Sequence, residues 1–139
     1  MSDGRWEREL IRIFASAGYT PIRGAASGGG TDRELPDVFA GNGEDMFCIE
    51  LKTRTPPEQN SACYGPRSDI DNIKHFAEAF RAKPLIAVRW KGSGGRPVQW
   101  RFAQPDSLET TAKSFKWYYD NRNSEHWFTF DSIPGEFDV

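Results

Sequence analysis

The sequence predicts an α/β sandwich, a mixed five-stranded sheet flanked by helices, in one domain of 139 residues. Three observations carry that prediction. Stretches 4–17 and 68–80 place apolar residues at helical spacing. Leu85-Ile86-Ala87-Val88-Arg89-Trp90 is a nearly continuous apolar run, the pattern of a buried strand. Between the helices, two short apolar runs flank an Asn-Gly turn, which is a β-hairpin signature. Helix, three strands, helix, two strands is an order that suits a layered α/β fold.

Taken along the chain, Ser2 or Asp3 is positioned to cap a first helix over 4–17, closed by Gly18. Its apolar stripe is Trp6, Leu10, Ile13, Phe14 and Ala17. Glu7 flanks that stripe near the helix start, where a carboxylate complements the helix dipole whatever else it does. Tyr19–Arg23 follows as a strand, and Pro21 either places it at a sheet edge or delays its start. Gly24 to Leu35 is a long glycine-rich loop, and Gly28-Gly29-Gly30 allows its backbone to approach a ligand closely. It lacks the Gly-Lys-Ser/Thr of a phosphate-binding P-loop, and reads equally as a plain linker or as a loop that grips substrate. The hairpin then runs from Pro36 to Lys52. Thr53–Gly65 reads as irregular and polar, with Pro56-Pro57 ending the strand. A second helix begins at Ser68 or Asp69 and buries Ile70, Ile73, Phe76, Ala77 and Phe80. Strand 85–90, a glycine loop at 92–95 and strand 98–103 follow. Beyond Pro105 the pattern weakens. The aromatic groups at 117–119 and 127–130 suit either an added hairpin or a partner-binding patch.

The hairpin carries the chemistry. Side chains alternate faces along a strand, so Phe47, Ile49 and Leu51 share one face and Cys48, Glu50 and Lys52 the other. A hairpin that starts at Asp37 and finishes at Lys52 brings two carboxylates and an amine to one edge of an apolar sheet. Mg²⁺ takes oxygen ligands and keeps several waters, so one or two carboxylates suit it. Such an ion acidifies bound water and neutralises charge on a phosphate. A Glu-x-Lys pair alone is commonly a solvated ion pair worth little. Pro36-Asp37 across the turn is what raises it to a candidate site.

A hydrophobic content of 37% and a charged content of 27% place the chain among soluble globular proteins, with enough apolar residues for a core. No apolar run approaches a membrane span, and the first residues lack a signal-peptide core. Cys48 and Cys63 have no metal-ligand spacing and read as reduced thiols, so the expected location is the cytoplasm. His75 and His126 are isolated and read as structural or surface residues. The net charge of −2 argues against a general polyanion binder. Residues 1–101, however, hold 15 Lys/Arg against 13 Asp/Glu, and the remainder 3 against 7. A local basic surface thus fits an acidic total.

Several of these features together resemble the archaeal Holliday junction resolvase family of restriction-endonuclease-like PD-(D/E)xK nucleases. They are Glu7-Arg8-Glu9-Leu10 in the first helix, Arg23 before a small-residue loop containing Ser27, Asp32-Arg33-Glu34-Leu35-Pro36-Asp37, Gly41-Asn42-Gly43, Ile49-Glu50-Leu51-Lys52, and Phe76-Ala77-Glu78. The resemblance covers residues 4–103 as a nuclease core and leaves 104–139 as a C-terminal extension of open role. It implies a restriction-endonuclease-like fold in which Glu7, Asp37 and Glu50 bind the metal with the Leu51 carbonyl. It further implies that Lys52 positions or activates water and that Ser27 is needed for cleavage. Arg8 and Arg23 would contact phosphate near the site. With Arg5, Arg33, Arg54 and Arg67 they make the candidate DNA-binding surface.

The implied activity is a Mg²⁺-dependent endonuclease, with Mn²⁺ as substitute, that acts as a homodimer on four-way junction DNA. A two-fold dimer supplies two equivalent sites for two opposed nicks. Recognition would rest on phosphates and junction shape, because no element looks like a base-reading helix. Two other readings stay open from the residues: a nuclease of the same fold acting on branched, duplex or single-stranded DNA, and a non-catalytic junction-binding module. Three acids around one lysine argue against the last, since clustered carboxylates repel one another without a cation. Whether the tail recruits a replication clamp or helicase is a question its composition leaves open.

Overall fold

The computed structural model describes residues 4–24, 34–54, 62–91, 99–118 and 127–129. The elements are α1 (Arg5–Ser16), β1 (Thr20–Arg23), β2 (Val38–Gly41), β3 (Met46–Arg54), β4 (Ala62–Pro66), α2 (Arg67–Phe80), β5 (Lys83–Trp90) and β6 (Gln99–Ala103). A 3-10 turn, Pro105–Ser107, leads to β7 (Glu109–Thr110), β8 (Ser114–Tyr118) and β9 (Trp127–Thr129). Among the described residues no helix is long and apolar enough to cross a membrane.

The predicted five-stranded mixed sheet is present in the order β1-β2-β3-β5-β6, and β9 lengthens it to six. The β3–β5 pair is parallel, whereas β1–β2, β2–β3 and β5–β6 are antiparallel. The parallel pair follows from the crossover through α2, because successive parallel strands need a long connection. In the hairpin Val38 faces Ile49 and Gly41 faces Met46. Asn42 Oδ1 closes its turn by accepting from the Glu44 and Asp45 N–H groups at 2.9 and 2.7 Å.

Strand alternation divides the core into two layers. Phe47, Ile49, Leu85 and Ala87 pack with Leu10 and Phe14 of α1 on one face. Phe14 meets Phe47, Tyr19 and Phe102 ring to ring, with centroids 5.5–6.1 Å apart. Cys48, Ile86, Val88 and Trp90 pack with Ile70, Ile73 and Phe76 of α2 on the other face. Each layer buries a helical stripe against alternate strand residues, so neither helix can rotate without exposing apolar area.

Five expectations need correction. Phe80, expected in the buried stripe of the second helix, is 53% exposed and stacks on Phe76 at the helix end. The first helix is capped by Gly4 (φ 85°) with no side-chain cap, so Ser2 and Asp3, outside the described residues, are not its N-cap. Thr53–Gly65 is not irregular throughout, since β3 continues to Arg54 and Ala62–Pro66 forms β4. β4 pairs with β8 about fifty residues away, a partner that local sequence gives no sign of. Nor do the two aromatic groups form a hairpin with each other. β8 lies in a second sheet, β4-β8-β7, while β9 joins the main one. Trp117 is buried at 1% exposure beside Phe115 and α2, so it is core rather than a partner patch. Gly65 permits this packing, because a Cβ there would run into the Phe115 ring. Of the other expectations, the loop around Gly28–Gly30, Pro56-Pro57 and the loop at 92–95 lie outside the described residues.

Candidate active site

Asp37 stands immediately before β2, and its backbone is tied in on both sides. Its N–H donates to the Ile49 carbonyl at 3.0 Å, and its carbonyl accepts from the Gly24 N–H at 2.9 Å. The side chain is fixed as well, since Asp37 Oδ2 accepts from the Leu51 N–H at 2.7 Å. Within a strand a residue's N–H and C=O point to the same side. The Leu51 carbonyl therefore faces the Asp37 side of β3. Glu50 and Lys52 project from the opposite face to Leu51, toward α2, as the alternation predicted. Lys52 Nζ lies 3.6 Å from Glu50 Oε2 and forms a closer ion pair with Asp69 in the first turn of α2.

Burial and mutual repulsion dominate the electrostatics. Glu50 is only 18% exposed. Burial, with the charge of Asp37, pushes its pKa to about 8 despite Lys52, and Asp69 and Glu34 add to the rise. Burial also raises Asp37, to about 6. The Leu51 hydrogen bond opposes the rise, Glu7 adds to it, Lys52 opposes it, and Glu34 adds to it. Two carboxyls that resist ionisation beside each other are the arrangement a divalent cation relieves. The donors are all oxygen, as a hard ion requires. Among the described residues no three acidic, histidine or cysteine side chains converge closely enough to hold an ion by themselves. The fit is thus to an ion held by Asp37 and Glu50, with the Leu51 carbonyl and water completing the shell.

Glu7 sits in the first turn of α1, in the layer across the sheet, and its charge reaches Asp37. Two residues on, Glu9 turns away toward β5 and β6. It accepts from Arg89 Nε at 2.9 Å and from Trp100 Nε1 at 2.7 Å. Burial pushes the Glu9 carboxyl up, but those hydrogen bonds and the charges of Arg89 and Arg12 outweigh it and leave the group below its ordinary range. Arg89, itself 8% exposed, also stacks on Trp6 with its guanidinium carbon 3.6 Å from the ring centroid. This clamp holds α1 against the sheet.

The arginines divide into two kinds. Arg5, Arg8 and Arg23 are exposed, and the Arg23 guanidinium lies against Gly4 at the start of α1, beside the turn that carries Glu7. Arg54 instead donates to the Thr53 and Tyr64 carbonyls, and Arg67 to Asp71 and the Thr111 carbonyl. Those two join β3 and α2 to the second sheet. Ser27 and Arg33 lie outside the described residues.

The family model for archaeal Holliday junction resolvase (Hjc) matches residues 3–124, most of the chain. The chain belongs to that family. The match runs past residue 103 and takes in the second sheet. A crossover junction endodeoxyribonuclease Hjc of Archaeoglobus fulgidus is 32% identical over 112 residues, 81% of this chain and 75% of its own length. The Methanocaldococcus jannaschii Hjc is 29% identical over 110 residues, spanning 79% and 71% of the two chains. The solved structure of the Archaeoglobus fulgidus Hjc, a Holliday junction resolvase from an archaeal hyperthermophile, superposes with a TM-score of 0.76 at 28% identity. That superposition covers 94% of this chain and 98% of the other.

Sequence reading did not single out Asp69 and Glu34, whose charges act on this group of residues. The sequence put Asp69 at the start of the second helix, but α2 begins at Arg67 after its N-cap Pro66, and Asp69 in the first turn reaches toward β3. Its position three residues into a helix that crosses the end of the Glu-x-Lys strand was the available signal. The Glu34 side chain acts on the site through its charge.

Proposed function

We propose that this chain is a metal-dependent endonuclease that resolves four-way DNA junctions by paired nicks on opposing strands, in recombination and repair. The observation that carries the reading is the convergence of Asp37, Glu50 and Lys52 at one strand end in a chain of the Hjc family. Bound Mg²⁺, or Mn²⁺ in its place, would supply an acidified water and charge neutralisation at the phosphate. Asp37 and Glu50 would hold the ion with the Leu51 carbonyl and water, while Glu7, expected as a third ligand, does not converge with them and would act from α1 through its charge on Asp37. Lys52 orients the attacking water or holds the scissile phosphate as a point charge. Ser27, ten residues before Asp37 in the sequence, is assigned to the cleavage step as in the family resemblance.

Arg5, Arg8 and Arg23 are the exposed cations that surround the Glu7 end of the site, and they are assigned to backbone phosphates together with Arg33. Arg54 and Arg67 contribute through the scaffold they hold together. A homodimer in the cytoplasm, with the whole chain as one nuclease domain, follows from the same reading. Leu108, Phe115 and Trp117 of the extension pack into the α2 layer, which supports treating residues 104–118 as part of that domain.

The deciding experiment is cleavage of a labelled four-way junction against a matched linear duplex, with Mg²⁺ and with EDTA, across a salt series. Paired metal-dependent nicks in the junction alone are expected. Equal cutting of the duplex would replace this reading with a general nuclease. Junction binding without cutting under either metal would leave a binding module.

A further inference from the structure

Lys52 stands between two carboxylates, and they have different uses for it. Glu50 Oε2 is 3.6 Å from its ammonium, while Asp69 makes the closer contact from α2. Both partners are largely buried, Lys52 at 18% and Asp69 at 11% side-chain exposure. A lysine closed onto Glu50 would satisfy the carboxylate that a cation needs, and would set a positive charge where the ion must sit. A lysine held from the α2 side leaves Glu50 available and keeps the ammonium beside the strand end. We infer that Asp69 is the counter-ion of Lys52 and a positioning residue that holds the ammonium off Glu50, so that one strand end serves both a cation and a lysine. This rests on the nuclease reading of the site.

The fold explains why the role falls to this residue. Lys52 and Val88 are register partners across the parallel β3–β5 pair. α2, which makes the crossover between those strands, packs on their Cys48, Ile86 and Val88 face. Its first turn therefore starts over the end of β3. Asn72, one turn further on, donates to the Glu34 carbonyl and ties the helix to the approach of Asp37. Any tilt of α2 would move Asp69 and the Asp37 approach together.

The test uses the full chain without DNA, and reads Mn²⁺ binding by calorimetry and by the rise in melting temperature on metal addition. Asp69→Asn keeps the shape and removes the charge. It should weaken Mn²⁺ binding about tenfold or more, the usual range for groups that orient a metal's ligands. Lys52→Met should bind at least as well as the natural chain. The Asp69→Asn/Lys52→Met double variant should return to that level, because no ammonium remains to close onto Glu50. Junction affinity in EDTA should stay within about twofold for Asp69→Asn, since this carboxylate pairs with Lys52 and contacts no phosphate. Natural-strength binding by Asp69→Asn would overturn the inference. So would a double variant as weak as Asp69→Asn, which would make Asp69 a contributor to the cation site itself. Failure of the natural chain to bind Mn²⁺ at all would overturn the nuclease reading, and the inference with it.

Discussion

Glu50→Gln should make the metal-free protein more stable at alkaline pH, and the size of the gain follows from where the carboxyl sits. An unfolded chain ionises this group near 4.5, whereas burial and the Asp37 charge hold its proton to about 8 in the folded protein. The folded state therefore binds the proton more tightly. Glu50's contribution is fully present below about pH 4.5, and is lost as pH rises through about 8. At about 1.4 kcal/mol per tenfold change in acidity, the whole gap corresponds to about 5 kcal/mol. Water entering the site and movement of Lys52 reduce that figure, and about 2–3 kcal/mol is the expected loss. Urea denaturation in EDTA at about pH 5 and about pH 8.5 measures it. The other titrating groups are common to both proteins, so the difference between their profiles reports Glu50 together with its coupling to Asp37. Mg²⁺ at the higher pH should restore the natural chain and leave Glu50→Gln almost unchanged. Parallel pH profiles in EDTA would refute the argument, because they would mean that Glu50 is solvated and ionised in the folded protein.

Three further perturbations test other parts of the structure. Lys52→Ala should lower single-turnover junction cleavage by about a hundredfold or more while junction binding in EDTA is retained, and equal loss of both would point to damaged docking instead. Arg89→Ala leaves Glu9 without its main partner and uncovers Trp6, so chemical denaturation should show a loss of about 2–4 kcal/mol. A loss below about 0.5 kcal/mol would remove the clamp from the account of α1. Gly65→Ala forces the Phe115 ring to shift in a filled core and should cost about 1–3 kcal/mol, whereas an unchanged urea midpoint would show that the second sheet yields freely.

The core layers were legible because they depend on periodicity. Leu10 and Phe14 recur at helical spacing, Phe47 and Ile49 alternate with Cys48, and each went to the layer its phase required. Asp37, Glu50 and Lys52 were legible for the same reason, since one short hairpin fixes all three and its register is set by a local turn. What escaped sequence reading depends on partners far along the chain. β4 exists because β8 lies beside it, and Gly65 is explained only by the Phe115 ring. Trp117 reads as a surface patch until α2 is seen to cover it.

The charges show the same division. From sequence, Glu9 was one acid of a Glu-Arg-Glu run, and only the stacked Trp6–Arg89 pair and Trp100 make it a structural clamp instead of a site residue. Arg54 and Arg67 counted as free cations until their carbonyl partners appeared. By itself the sequence determined the layers, the hairpin and the three groups at its mouth, because short-range backbone geometry places them. Only the tertiary structure decided that Asp69 shares Lys52 and that the Glu50 pKa is raised to about 8. Both depend on which helix end covers the strand and how much water it excludes, and neither quantity is a property of local sequence.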